Sequence, residues 1–176
     1  KENVINFCSD LAKKLDFDDL RFEQGDIKGF NQFGKIDMVI SLHACNTATD
    51  DALARAVNWG AQVILAVPCC QHELLKKIKN EKMISMMKFG IIKEKLSSLI
   101  TDSLRANVLE IMGYRTQVIE FIDMEHTPKN IMIRAFFDDN SDIDKAIKQY
   151  KEFKKQWQIS PYVEEAFGKS LTDKLE

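Results

Sequence analysis

The chain has 176 residues, of which 45% are hydrophobic and 30% charged, with only seven glycines and three prolines. This length and balance are typical of a soluble globular protein with one core of ordinary size. A formal net charge of -2 gives no overall electrostatic attraction to nucleic acid. No apolar run approaches the ~18 residues of a membrane span and no stretch resembles a signal peptide. We therefore expect no membrane association and a cytoplasmic location with reduced thiols.

Three elements are predicted in the first part of the chain. Apolar residues at spacings of three and four predict a helix over residues 4–15. The stretch "LRFEQGDI" (20–27) predicts a short strand that ends in a turn at Gly25-Asp26. The nearly continuous β-branched run "KIDMVISLH" (35–43) predicts a strand buried on both faces.

A helix, a strand and a further helical region come next. Thr47 and Asp50 form a capping-box pattern for a helix that stops at Gly60. The run "AQVILAVP" (61–68) predicts a second buried strand, and a helical region follows from about Gln71.

The remaining pattern predicts a pair of strands with one helix before them and one helix after them. Amphipathic spacing predicts a long helix near residues 92–112, and a charged helix covers residues 142–157. Between them lie "RTQVIEFID" (115–123) and "NIMIRAFF" (130–137), joined by the loop "EHTPKN". These two strands are too close for a crossover helix, so the last should run antiparallel to its neighbour. Alternating strands and helices predict an α/β fold with a mostly parallel sheet.

Reactive side chains accumulate where the predicted parallel strands end. In open parallel sheets, ligands bind outside the carboxyl ends of the strands. Of all histidines and cysteines in the chain, only Cys8 is predicted to lie away from this edge. The residues predicted at the edge are His43, Cys45, Cys69, Cys70, His72 and His126. The sequence therefore predicts a functional site at this edge of the sheet.

Residue chemistry leaves three interpretations of this cluster. A histidine titrates near neutral pH and suits the role of a general base. His43, Cys45, Cys69, Cys70 and His72 also offer nitrogen and sulfur ligands of the kind that zinc prefers. Adjacent cysteines on an extended backbone point to opposite faces, however, and the pair lacks the usual CxxC spacing, so we assign no metal ligand. The third interpretation treats the cysteines as small buried hydrophobic residues and the histidines as local hydrogen-bonding groups.

Several motifs together resemble one branch of a known enzyme family. The run "SLHACNTATDDALARAVNWGAQVILAVPCCQHEL", with "TDSLRANVLEIMGY" and "EHTPKNIMIRA", resembles class I S-adenosylmethionine-dependent methyltransferases. The branch includes the methyltransferase-like domain of the glutathione S-transferase C-terminal-domain-containing protein. The resemblance covers most of residues 1–137 and implies a three-layer Rossmann-like sheet with a terminal antiparallel strand. It also implies S-adenosylmethionine as cofactor and, in the intact protein, methyl transfer to an acceptor, RNA or protein, that the sequence does not identify.

The resemblance suggests a role for each motif residue. The turn Gly25, Asp26 and Ile27 looks like the segment that holds adenine, with Asp26 accepting from its exocyclic amine, although such turns are also ordinary loop chemistry. The segment where the methyl donor meets the acceptor is represented by Ser41, Leu42 and His43. Candidates for catalysis are His43, Cys45, Cys69, Cys70 and His72, with His43 or His72 as the base.

The acceptor side is predicted from the last loop and from nearby charge. Candidate substrate residues are His126, Lys129 and Asn130, and a solvated hairpin turn is the alternative. A run of lysines beside the site favours binding of RNA, although such runs also form ordinary solvated helix faces. The run consists of Lys76, Lys77, Lys79 and Lys82. On the long helix, Asp102 and Arg105 are spaced as a local pair worth ~0.2–0.5 kcal/mol.

The sequence departs from the family pattern in one large respect. It contains no GxGxG-like loop and no acidic residue in the position expected for the cofactor ribose, so we expect the first two strands of the family sheet to be absent from this chain. We therefore expect residues 1–158 to be the C-terminal portion of a methyltransferase domain, inactive alone, and residues 159–176 to be an extension. Without those strands, residues 36–42 should expose a sheet edge that favours self-association. The alternative functions are a degenerate fold used as a binding module and a Cys/His metal-binding domain.

Overall fold

The computed structural model describes residues 2–30, 34–122 and 130–176. The chain divides into two compact units, residues 1–32 and residues 33–176. No helix in the described ranges is long and apolar enough to cross a membrane.

The first unit is built on one helix and contains no strand within its described residues. Helix α1 (Glu2–Lys14) confirms the helix predicted from the apolar spacing. The strand predicted over residues 20–27 is wrong, because this stretch is irregular and runs into a short 3-10 helix, Ile27–Gly29. A strand needs a neighbour that accepts its backbone hydrogen bonds, and the described residues supply no such ladder to this stretch.

A four-stranded sheet organises the described part of the second unit. Its strands are β1 (Met38–Leu42), β2 (Val63–Val67), β3 (Tyr114–Glu120) and β4 (Ile131–Phe137). Their order across the sheet is β1-β2-β4-β3. Strand β1 pairs with β2 in parallel, and β4 is antiparallel to both β2 and β3.

This topology confirms the α/β class and the antiparallel last strand. The expectation of a mostly parallel sheet holds for direction only: β1, β2 and β3 run the same way, but only the β1–β2 pairing is parallel. The reason is that β4 lies between β2 and β3 and separates two strands that share a direction.

Strand β1 lies at the edge of the sheet and is not buried on both faces, so that prediction is wrong. Its alternate residues Met38, Ile40 and Leu42 are 49%, 57% and 57% exposed. Strand β2, between two neighbours, buries Ile64 and Ala66 completely. A run of apolar residues reports the tendency to be buried, whereas position in the sheet decides whether burial occurs. Association of this edge with a second chain stays a prediction.

Helices pack around the sheet and supply most of the core. They are α2 (Thr47–Asn58), α3 (Glu73–Lys77), α4 (Ile84–Met87), α5 (Gly90–Ile111), α6 (Ile143–Trp157), α7 (Tyr162–Phe167) and α8 (Lys169–Leu175). The predicted helices before Gly60, near 92–112 and over 142–157 are confirmed as α2, α5 and α6. Side chains on both sides of residue 158 share one hydrophobic core, including Tyr150, Val163, Phe167 and Leu171. The predicted family boundary at 158 stays a prediction.

Candidate functional site

Two loops that follow the parallel strands are hydrogen-bonded to each other. One leaves β1 at His43, and the other leaves β2 at Pro68. The Asn46 backbone N–H donates to the Cys70 carbonyl at 2.8 Å. The Asn46 side-chain oxygen accepts from the backbone N–H groups of His72 at 3.2 Å and Glu73 at 3.1 Å. A single asparagine therefore joins the end of one strand to the start of the helix after the next.

The backbone of the first loop is in a conformation that favours glycine. Asn46 has φ 55° and ψ -124°, the values of the first central residue in a type II′ turn, and His43 has φ 58°. Two non-glycine residues with positive φ within four positions store strain that the surrounding contacts must hold. Such strain is a feature of functional loops, and here it lies in the loop that carries Cys45.

The predicted capping box of α2 is wrong. The residue at the N-cap is Asn46 rather than Thr47, and no side chain caps the helix there. The Asn46 side chain bonds the other loop instead, and the Asp50 carboxylate bonds Arg105. The side chains of Asn46 and Asp50 thus bond residues distant in the chain and do not cap α2.

Three thiols meet where the two loops come together. The Sγ atoms of Cys45 and Cys69 are 3.0 Å apart, and those of Cys45, Cys69 and Cys70 all lie within 4.8 Å of one another. Cys45 is exposed, whereas Cys69 and Cys70 are half-buried. The expectation that adjacent cysteines point apart fails because both follow the end of β2 at Val67 and do not lie on the extended strand.

The environment keeps one of these thiols protonated. A hydrogen bond to Cys45, followed by burial and a hydrogen bond to Cys70, raises the pKa of Cys69 to about 12. The thiolate is the reactive form of cysteine, so the Cys69 thiol in this arrangement is a poor nucleophile at neutral pH.

The structure describes two of the three histidines predicted at the site, His43 and His72. His43 and His72 are exposed and flank the thiols in sequence. Within the described residues, no histidine nitrogen joins the group of three sulfurs. His126 and Lys129 lie outside the described residues. The neighbouring candidate Asn130 is 4% exposed, and its side-chain amide donates to the Ile122 carbonyl at 2.8 Å. This contact connects the segment after β3 to the start of β4. The substrate role of Asn130 stays a prediction.

The predicted cofactor residues fall in both compact units. In the first unit, Asp26 is exposed and its Oδ1 accepts from the Lys28 backbone N–H at 3.1 Å. The neighbouring Gly25 is exposed with open space where a Cβ would be, and Ile27 begins the short 3-10 helix. In the second unit, Ser41 and Leu42 end β1 directly before His43, with Ser41 half-buried and Leu42 exposed.

A buried charge network beneath the loops was missed by sequence reasoning. The guanidinium of Arg105 binds both carboxylate oxygens of Asp50, with Nε–Oδ1 2.7 Å and Nη2–Oδ2 3.0 Å. It also donates to Asp102 at 3.0 Å and to the Asn46 carbonyl at 2.7 Å. Gln71 donates to the other Asp102 oxygen at 2.8 Å. The network thus ties α5 to α2 and to both loops of the site.

One sequence signal for this network was available. Arg105 precedes Val108 by three positions and Leu109 by four, which places it on the apolar face of α5. It is 1% exposed, and a charged residue on a buried face requires a partner. The spacing predicted Asp102, but nothing local indicated Asp50 on another helix.

Burial shapes the titration of the two carboxyl groups. Desolvation, opposed by Arg105, raises the pKa of Asp50 and of Asp102 above their ordinary value of 3.8. A carboxyl with a higher pKa in the folded state binds its proton more tightly there than in the unfolded state. The free energy of unfolding should therefore fall as pH rises from 3.8 through the raised pKa values.

We expect Asp102→Asn to reduce this pH dependence. The variant removes one of the two titrating groups, so the fall in unfolding free energy as pH rises above 3.8 should be shallower than in the parent chain. Urea titrations at a series of pH values measure it, with Asp144→Asn, at an exposed position, as the matched control. A parent-like slope in Asp102→Asn contradicts the assignment.

A cleft elsewhere in the second unit is a less suitable site. It has a volume of about 260 Å³ and lies between the start of β3 and α6, lined by residues that include Arg115, Asp138, Asp142 and Lys145. Its lining contains no thiol and no imidazole. The loops after β1 and β2 therefore remain the candidate site.

Comparison with known proteins gives one match, and it covers these loops. Searches of curated proteins and of solved structures each returned no match. Residues 1–77 match the family model of a methyltransferase domain. The matched range includes β1, α2, β2 and α3, and with them the three thiols, His43 and His72. This part of the chain is thus supported as methyltransferase-domain sequence.

Proposed function

We propose that this chain takes part in methyl transfer from S-adenosylmethionine to a macromolecular acceptor. The match of residues 1–77 to a methyltransferase domain carries the proposal, because it contains both loops of the candidate site. The sheet supports a Rossmann-like arrangement, since β1, β2 and β3 run the same way and β4 is inserted antiparallel. Ligands of such sheets bind at the carboxyl ends of the strands, where these loops lie.

The first unit has a segment that fits the adenine end of the cofactor. A carboxylate has two oxygens and several lone pairs, so Asp26 can accept from an amino group while it also accepts from Lys28. Both Asp26 and Gly25 are exposed. Under this proposal Asp26 binds the exocyclic amine and Ile27 packs on the ring. In the second unit, Ser41, Leu42 and His43 are the proposed contacts of the methyl donor.

S-adenosylmethionine supplies a methyl group on a positively charged sulfur. What the chain must supply is orientation, exclusion of water and a proton acceptor for the attacking group. His43 and His72 are both exposed beside the thiols, so either imidazole can take a proton from the acceptor. We assign Cys69 no nucleophilic role, because it holds its proton at neutral pH.

The acceptor is proposed to be RNA or a protein side chain. Lys76, Lys77, Lys79 and Lys82 are exposed on and after α3, directly beyond His72. Lysines in this position suit contact with RNA phosphates. Lys77 already donates to Glu73 and to the Ser160 carbonyl at 3.2 Å, which assigns it in part to packing. Methylation assays with separate RNA and protein pools distinguish the two acceptor classes.

Titration of the chain with S-adenosylmethionine, followed by amide NMR, tests the proposal. We expect weak binding, because the 176 residues contain no glycine-rich loop to hold the methionine end. Shifts should concentrate at residues 25–27 and 41–43. Asp26→Ala should remove them, whereas Asp18→Ala, an exposed aspartate of the same unit, should not. Absence of shifts at both segments would contradict the proposal and favour the binding-module alternative. Micromolar affinity by calorimetry would overturn the expectation of weak binding.

A further inference from the structure

We propose that Cys45, Cys69 and Cys70 bind one thiophilic metal ion through their three sulfurs, with Zn²⁺ as the expected ion. The inference rests on the geometry and chemistry of the thiols and is independent of the proposed methyl transfer. The three sulfurs come from two loops, and all lie within 4.8 Å of one another.

The sulfur separations are close to those of a zinc site. Two sulfurs that bind one zinc ion at about 2.3 Å in tetrahedral geometry lie about 3.8 Å apart. The Cys45 and Cys69 sulfurs, at 3.0 Å, need to separate by less than about 1 Å to reach this value. Cys45 is exposed, so rotation of its side chain can provide that movement.

The donor set selects the class of metal. The group contains sulfur only, since no described carboxylate or imidazole belongs to it. Thiolates favour zinc and other soft ions over magnesium, calcium or manganese, which prefer oxygen. Three protein ligands leave a fourth zinc position for water or another small ligand. The exposure of Cys45 lets that ligand, and the ion itself, enter from solvent.

The loops are held together by contacts that do not involve a metal. Asn46 bonds Cys70, His72 and Glu73, and its own carbonyl accepts from the buried Arg105. These bonds place sulfurs that are 24 residues apart in the chain next to each other. A site whose ligands are already positioned loses less entropy when it binds its ion.

Metal titration of the reduced, metal-stripped chain tests this inference. We expect one equivalent of Zn²⁺ to bind in competition with a chromophoric chelator. Co²⁺ in the same site should give thiolate charge-transfer bands and the strong visible bands of tetrahedral cobalt. Cys45→Ser, Cys69→Ser and Cys70→Ser should each weaken binding by more than about tenfold, since even loss of a group behind a ligand commonly costs 10–100-fold.

A matched control is available in the same chain. Cys8 lies on α1, outside the three-sulfur group, so Cys8→Ser should bind zinc as the parent does and keep the cobalt spectrum. Circular dichroism establishes that each variant is folded. The inference is overturned if the parent chain binds no stoichiometric zinc, if its cobalt complex lacks thiolate bands, or if Cys8→Ser weakens binding as strongly as Cys69→Ser. No methyl donor is present in these experiments, so their outcome does not depend on the proposed function.

Discussion

Replacement of Arg105 by methionine is expected to lower the free energy of unfolding by about 3–5 kcal/mol. Arg105 is 1% exposed, and its guanidinium neutralises the buried carboxylate of Asp50 while it also binds Asp102. Methionine preserves much of the side-chain volume but leaves both carboxylates buried without a cation. Chemical denaturation at neutral pH measures the change.

Two further variants separate the effect of charge from that of packing. Arg115→Met, at an exposed position on β3, should change the unfolding free energy by less than about 0.5 kcal/mol. A triple variant, Asp50→Leu, Asp102→Leu and Arg105→Met, should regain most of the stability that Arg105→Met loses, because it contains no unpaired buried charge. A triple variant less stable than the single one would show that packing, rather than charge neutralisation, explains the role of Arg105.

Replacement of Asn46 by alanine is expected to cost about 2–4 kcal/mol. The backbone N–H groups of His72 and Glu73 lose their shared acceptor, at about 0.5–1.5 kcal/mol for each hydrogen bond. Alanine adopts φ 55° less readily than asparagine does, so it adds strain to that already present in the loop. Thermal and urea unfolding measure the loss.

Variants at the same position divide this cost into its two parts. Asn46→Asp keeps an oxygen acceptor and should be the most stable of the three substitutions. Asn46→Gly removes the acceptor but adopts the backbone conformation freely, so it should lie between aspartate and alanine. Asn107→Ala is the control, because the side-chain hydrogen bond of Asn107 within the described residues is a local one, to Glu110 at 3.4 Å. Equal stability of Asn46→Ala and Asn46→Asp would refute the bridging role of the side chain.

Local pattern was sufficient for most of the helices and for the general position of the site. The spacing of apolar residues predicted α1, α5 and α6, because helix periodicity is a property of a short window. The short connection between the last two strands predicted their antiparallel pairing. The rule that parallel strands end at one edge predicted that Cys45 would lie near Cys69 and Cys70, and their sulfurs do lie together.

The tertiary structure decided everything that depends on a partner distant in the chain. Residues 20–27 have a strand-like composition but pair with no strand among the described residues. Strand β1 has apolar residues on an edge that leaves them exposed. Arg105 binds Asp50, which is 55 residues away, and the Asn46 side chain does not cap α2 because it bonds the opposite loop. A sequence window contains information about backbone preference and periodicity. Hydrogen bonds, ion pairs and sulfur contacts between distant segments form only when the fold brings those segments together.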